Sequence, residues 1–107
     1  MTALASEVFA ANRFVHRKWQ AAGLRSAEDL RSWDDFFQLP FTTKAELVAD
    51  QVEHAPFGTN LTYPLERYVR VHQTSGTTGP PIRVLDTEED WLWWARSWEF
   101  VFRAAGV

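Results

Sequence analysis

Leu4, Val8, Ala11, Val15 and Trp19 recur at steps of three and four along the first stretch of the chain, the period of one helix face. The pattern predicts a single amphipathic helix that Gly23 terminates, because glycine takes the left-handed conformation in which helices commonly end. Ser26-Ala27-Glu28-Asp29 has the form of another helix start, with Leu30, Trp33 and Phe37 on one face before Pro40 stops the run. Thr43-Lys44-Ala45-Glu46 has the spacing of a capping box and predicts a short helix. Prolines, a glycine and polar residues across 51–65 predict a connection over the surface.

The period then changes from helical to alternating. In Glu66–Gln73, Val69 and Val71 alternate with Arg70 and His72, which predicts a strand, and Ile82-Arg83-Val84-Leu85 predicts its partner. A final helix follows: Thr87 caps it, Glu88, Glu89 and Asp90 suit the positive end of its dipole, and Trp91, Trp94, Ala95, Trp98, Val101 and Phe102 form an apolar stripe. Trp93 and Phe100 fall off that stripe, so burial from two sides, or an interface, is implied, and core packing is the expectation.

These elements define an α/β chain: a mostly helical lead-in over 1–65, then a β-hairpin and a further helix over 66–107, both parts of one incomplete domain. Six tryptophans and eight phenylalanines need more covering surface than these elements offer, so the pattern reads as the opening part of a longer fold. A hairpin alone is marginal without further strands.

The candidate chemistry lies between the two strands. Thr74-Ser75-Gly76-Thr77-Thr78-Gly79-Pro80-Pro81 makes a connection of about eight residues where structural hairpin loops take about 2 to 5. Glycines let backbone N–H groups converge closely on an anion, and Ser and Thr hydroxyls add donors, so this loop is composed to hold phosphate. Pro80 and Pro81 lack N–H groups, which leaves the donors to Ser75 through Gly79. A polar surface loop has a similar composition. Two better-known phosphate loops do not fit: no lysine follows Gly79 as the nucleoside-triphosphatase pattern requires, and the loop opens onto a strand where the dinucleotide fingerprint opens a helix.

The run Arg70-Val71-His72-Gln73-Thr74-Ser75-Gly76-Thr77-Thr78-Gly79-Pro80-Pro81 resembles the phosphate-loop signature of adenylate-forming enzymes, and is most similar to their phenylacetate–coenzyme A ligase branch. Leu39-Pro40-Phe41-Thr42-Thr43-Lys44-Ala45-Glu46-Leu47, followed by Ala55-Pro56-Phe57-Gly58, resembles the segment just upstream of the loop in that branch. The resemblance implies the opening part of the large N-terminal domain of such an enzyme. It also implies a two-step reaction, in which a small carboxylic acid attacks the α-phosphate of ATP and coenzyme A then displaces AMP. Thr74, Ser75, Gly76, Thr77, Thr78 and Gly79 would bind the nucleotide, and Mg2+ would travel with the ATP. The family's catalytic lysine lies in a C-terminal domain beyond Val107, so no catalytic residue is identified and the chain alone is expected to be inactive. An aryl acid such as phenylacetate is the family's default substrate.

The chain departs from the family at Pro80, where a basic residue is common. Arg83 is the nearest substitute, or else an ordinary solvated strand arginine. Lys44 stands at a helix start, where a cation is mildly unfavourable, so it is either an anion contact or a solvated lysine. His72 borders the loop, where it packs beside the nucleotide or positions the backbone; a general base is not needed for an acid already ionised at neutral pH. Two other functions remain open: an inactive nucleotide-binding module, and a helical protein that docks a partner through its tryptophans.

With 46% hydrophobic residues and a net charge of −3, the chain has an ordinary globular composition, and its scattered basic residues form no stripe for nucleic acid. It has no cysteine, no signal-peptide pattern at its start and no apolar run of membrane-spanning length, which together suit a cytoplasmic protein. His16 and His54 lack partners at metal-ligand spacing and are read as structural.

Overall fold

The computed structural model describes residues 2–76 and 79–107. In chain order it forms α1 (Thr2–Ala11), α2 (Arg13–Ala21), a 3-10 turn (Ala27–Asp29), α3 (Trp33–Phe37) and α4 (Lys44–Glu53). A second 3-10 turn (Leu65–Arg67), β1 (Tyr68–Gln73), β2 (Arg83–Thr87) and α5 (Glu88–Ala104) complete it.

The single helix expected at the start is two, divided at Asn12. Asn12 leaves helical geometry, its Oδ1 accepts from the Val15 amide at 3.0 Å, and its Nδ2 donates to Asn60 Oδ1 at 2.9 Å and Thr62 Oγ1 at 3.3 Å. The side chain thus caps α2 and ties it to a segment far along the chain, which a continuous helix would forgo. The break also changes which face is buried. Ala5, Phe9 and Phe14 are buried, whereas Leu4 of the expected stripe is 67% exposed. Gly23, at φ +98, ends α2 as expected: its N–H donates to Gln20 O at 2.9 Å and Leu24 N–H to Trp19 O at 3.0 Å.

The helix expected from Ser26 is likewise interrupted. Ser26 with Asp29 and Ser32 with Asp35 form successive capping boxes, each opening a short element, so Leu30 and the aromatics after it do not share one face. Leu30 is 1% exposed in a core with Ala5, Phe9 and Ala27, and Trp19, Leu24 and Leu39 pack against it. Trp33 and Phe37 are exposed and lie against each other.

α4 begins as its capping box predicts, with Thr43 Oγ1 accepting from the Glu46 amide and Glu46 Oε2 accepting from the Thr43 amide at 2.7 Å. Two ion pairs join it to α2: Lys18 to Glu46 at 2.5 Å and Arg17 to Asp50 at 3.0 Å. The 51–65 connection does not simply cross the surface. Its first residues complete α4, and Thr59 is buried, donating to the Asp50 carboxylate from its amide and its hydroxyl at 2.5 Å each. Gly58 stands at φ +77, where a Cβ would collide with the same carboxylate.

β1 and β2 pair antiparallel in a two-stranded sheet, with Gln73 opposite Arg83, His72 opposite Val84 and Val71 opposite Leu85. β1 starts later than expected, because Leu65–Arg67 turn after Pro64. β2 runs directly into α5, whose capping box is Thr87 with Asp90. The expected core packing of the α5 aromatics is not met within this chain, since no residue of α5 is buried. They stack along the helix instead: Trp91 on Trp94 with centroids 4.9 Å apart, then Trp98, then Phe102. No helix of the described residues is long and apolar enough to cross a membrane.

Candidate functional site

The hairpin presents its long connection from a fixed base. Thr74 N–H donates to Ile82 O at 3.0 Å, and Ile82 N–H donates to Thr74 Oγ1 at 2.9 Å, so the two residues close the loop across its neck. Ile82 is buried, which seats that neck on the protein. The Thr74 hydroxyl serves as acceptor there, and its own proton is not consumed by that bond.

Beyond the neck the chain turns at Gly76, φ +66, and again at Gly79, φ +144. A Cβ at Gly76 would lie 3.1 Å from Gly79 O and 3.3 Å from Pro81 Cδ, so the backbone sign favours glycine there and any side chain would be tightly packed. Gly79 N–H donates to Gly76 O at 3.3 Å. Thr77 and Thr78, also expected to meet phosphate, lie outside the described residues. Ser75 is exposed and Gly76 half-buried, beside the closed neck.

The three flanking candidates have different surroundings. Arg83 is exposed, but its Nη1 donates to Pro56 O at 3.0 Å, so its guanidinium is engaged on the α4 side of the hairpin. That bond uses one of the five guanidinium donors, and the side chain stays exposed on its strand. His72 pairs through Nε2 with Asp86 Oδ2 and lies against Trp91, centroid to centroid 6.0 Å. Arg70 covers the same indole at 3.6 Å, a cation–π contact. His72 thus touches α5 through Trp91 while its side chain stays about half exposed. Lys44 is exposed at the first residue of α4, remote in sequence from the loop.

Sequence reasoning missed Gln51. Its side-chain amide bonds the backbone of Arg83 on both sides, Nε2 donating to Arg83 O at 2.6 Å and Oε1 accepting from Arg83 N–H at 2.9 Å. Nothing in the pattern around an amide near the end of a helix signals a partner 32 residues away. Asp50, its neighbour, is also a tertiary feature. Burial pushes that carboxyl up, but the Thr59 hydroxyl and amide and the Arg17 guanidinium outweigh it and hold its pKa below the usual value.

A second concavity, about 690 Å³, lies between α2 and α4 and is lined by Phe14, Phe41 and the two ion pairs. It is not part of the loop site, and four of its five lining charges, Arg17 with Asp50 and Lys18 with Glu46, are paired with one another, Glu53 being the fifth. Among the described residues no group of His, Asp or Glu is arranged to hold a metal ion.

This arrangement of helices and a two-stranded antiparallel sheet matches the N-terminal part of an acyl-CoA ligase. The structure of 2-hydroxyisobutyryl-CoA ligase in complex with 2-HIB-AMP and CoA in the thioesterification state matches with a TM-score of 0.75 at 33% identity, covering 84% of this chain and 19% of that one. Its open conformation matches at 0.74 and 30% identity, covering 84% and 20%. No protein-family profile matches the chain.

Within that class the sequence is similar to the phenylacetate–coenzyme A ligases, as the loop and its upstream patch implied. It is 40% identical over 90 residues to the phenylacetate-coenzyme A ligase of Escherichia coli (strain K12), covering 84% of this chain and 19% of the relative. The ligase of Aromatoleum evansii is 39% identical over 79 residues, 74% of this chain and 17% of its own length. The chain thus spans about a fifth of the length of the curated relatives it matches.

Proposed function

We propose that this chain forms the ATP phosphate-binding part of an acid–coenzyme A ligase. The observation that carries the reading is the loop at 74–81: necked by Thr74 and Ile82, turned at a Gly76 whose positive φ and close neighbours favour glycine, and set in a fold shared with acyl-CoA ligases.

On this reading the carboxylate of the acid attacks the α-phosphorus of ATP, the bond from that phosphorus to the bridging oxygen breaks, and pyrophosphate leaves. The thiolate of coenzyme A then attacks the acyl carbon and AMP departs with the electron pair of the acyl–oxygen bond. Ser75, Gly76, Thr77, Thr78 and Gly79, with the Thr74 hydroxyl, hold the β- and γ-phosphates, where preorganised donors meet the charge that develops on the leaving group. Gly79 contributes its N–H once its bond to Gly76 O is released. Mg2+ accompanies the nucleotide and supplies neutralising charge. Phenylacetate or another aryl acid is the substrate class that the relatives suggest, and the reaction is cytoplasmic, where ATP and coenzyme A are available. The adenylating step needs the remaining part of such a ligase, so this polypeptide by itself is inactive.

ATP–pyrophosphate exchange in the complete ligase, run with a panel of aryl and aliphatic carboxylic acids, tests this directly. Exchange that depends on an acid and is lost in Gly76→Val is the expected result; exchange unaffected by Gly76→Val would remove the loop from the nucleotide site. A second reading, in which α5 docks a separate protein and no adenylation occurs, is favoured by the exposed α5 aromatics. Absence of exchange with every acid, together with a native polypeptide of the size of this chain, would select it.

A further inference from the structure

We propose that Gln51 and Arg83 are positioning residues for the phosphate loop, holding its exit strand against α4; the inference rests on the loop reading above. Thr74 and Ile82 bond each other across the neck, and hydrogen-bonded pairs alternate along an antiparallel ladder. Arg83, the next residue, therefore turns its N–H and C=O to the outer edge of the hairpin. There the Gln51 amide meets both, donating to the carbonyl at 2.6 Å and accepting from the N–H at 2.9 Å. A helix side chain thus supplies the bonds that a neighbouring strand would supply.

The Arg83 side chain completes the hold, with Nη1 donating to Pro56 O at 3.0 Å. The support to which Arg83 is tied is itself fixed. Asp50, beside Gln51, is buried and accepts from Arg17 and from the amide and hydroxyl of Thr59. Gly58 passes so close that a Cβ there would lie 2.9 Å from Gln51 Cγ. Arg83 lies opposite Gln73 and directly follows Ile82, which is bonded to Thr74, so the hold reaches both stems of the loop. Donors set in place before the ligand arrives lose nothing to reorganisation, which is what a phosphate loop needs from its base. This gives Arg83 a role without a phosphate contact, and explains how a helix upstream of the hairpin enters the site.

The test uses the complete ligase and the acid that supports the fastest exchange in the panel above. Gln51→Leu keeps the side-chain bulk and removes both bonds to Arg83; Arg83→Met removes only the bond to Pro56. For Gln51→Leu the expected result is a rise in KM for ATP of about five- to tenfold, with KM for the acid and the thermal midpoint unchanged, and for Arg83→Met a smaller rise of the same kind. An unchanged KM for ATP in Gln51→Leu, beside loss of exchange in Gly76→Val, would overturn the positioning role and leave the loop reading standing. Equal rises in both KM values with a lowered midpoint would overturn it in favour of a general structural role. Loss of ATP use in Arg83→Met with Gln51→Leu unaffected would overturn it in favour of direct phosphate contact by Arg83. If Gly76→Val has no effect, the loop reading fails first and the inference with it.

Discussion

Glu46 and Asp50 lie one turn apart on α4, and each carboxylate ties that helix to α2 through a different cation. Glu46 accepts from Lys18 and from the amide and hydroxyl of Thr43, and these bonds lower its pKa from 4.5 to about 2. Asp50 is held below 3.8 despite burial, by Thr59 and Arg17. A carboxyl whose folded pKa is depressed adds stability above its unfolded pKa and loses that stability as pH falls toward the folded value. For Glu46 the window runs from pH 4.5 down to about 2, with Asp50 contributing below 3.8. The thermal midpoint of the wild-type chain should therefore fall across this window. In Glu46→Gln it should start lower and fall less steeply, because the variant has no proton to take up at that position. Melting curves at stepped pH check both parts.

Among the elements, the junction of β2 with α5 concentrates the most local design. Thr87 is the last residue of the strand and the cap of the helix, and at 1% exposed it is among the most buried side chains of the chain. Its hydroxyl accepts from the Asp90 amide at 3.2 Å, while Asp90 Oδ2 accepts from the Thr87 amide and hydroxyl at 2.9 Å each. Thr87→Ala removes the cap and should cost about 1–2 kcal/mol, whereas Thr87→Ser keeps the oxygen and should cost less. Urea unfolding followed by helical circular dichroism measures the difference. An equal loss in both variants would assign the cost to the missing methyl and not to the cap.

Across the whole molecule, the dominant imbalance is between a small core under α1 and a long aromatic helix that, among the described residues, meets Arg70 and His72 at Trp91 but has no buried residue of its own. Phe9, Leu30 and their neighbours pack, while Trp94, Trp98, Val101 and Phe102 on one side of α5 and Trp93 and Phe100 off that stripe stay exposed. Contiguous apolar surface of this kind marks an interface or promotes association. The isolated chain should self-associate in a concentration-dependent way, and Trp98→Ser combined with Phe102→Ser should reduce that association. Static light scattering over a dilution series reads this out, and unchanged scattering in the double variant would place the sticky surface elsewhere. In a complete ligase the same face would be covered, so the double variant should instead lower stability there.

What was legible in the sequence is what neighbouring residues decide among themselves. The caps at Thr43 and Thr87, the end of α2 at Gly23, the hairpin and the glycine turn of its loop all depend on hydrogen bonds or backbone signs within a few positions. The similarity to acyl-CoA ligases was legible too, because the loop and its upstream patch are contiguous strings. The rest was set by partners distant in sequence. Asn12 splits the first helix by reaching Asn60 and Thr62, and the split decides that Phe9 and not Leu4 meets the core. Asp50 closes on Thr59 and Arg17, and Gln51 takes the edge of β2 at Arg83. A polar side chain has several possible partners of nearly equal energy, so packing alone selects one; local periodicity carries no record of that choice.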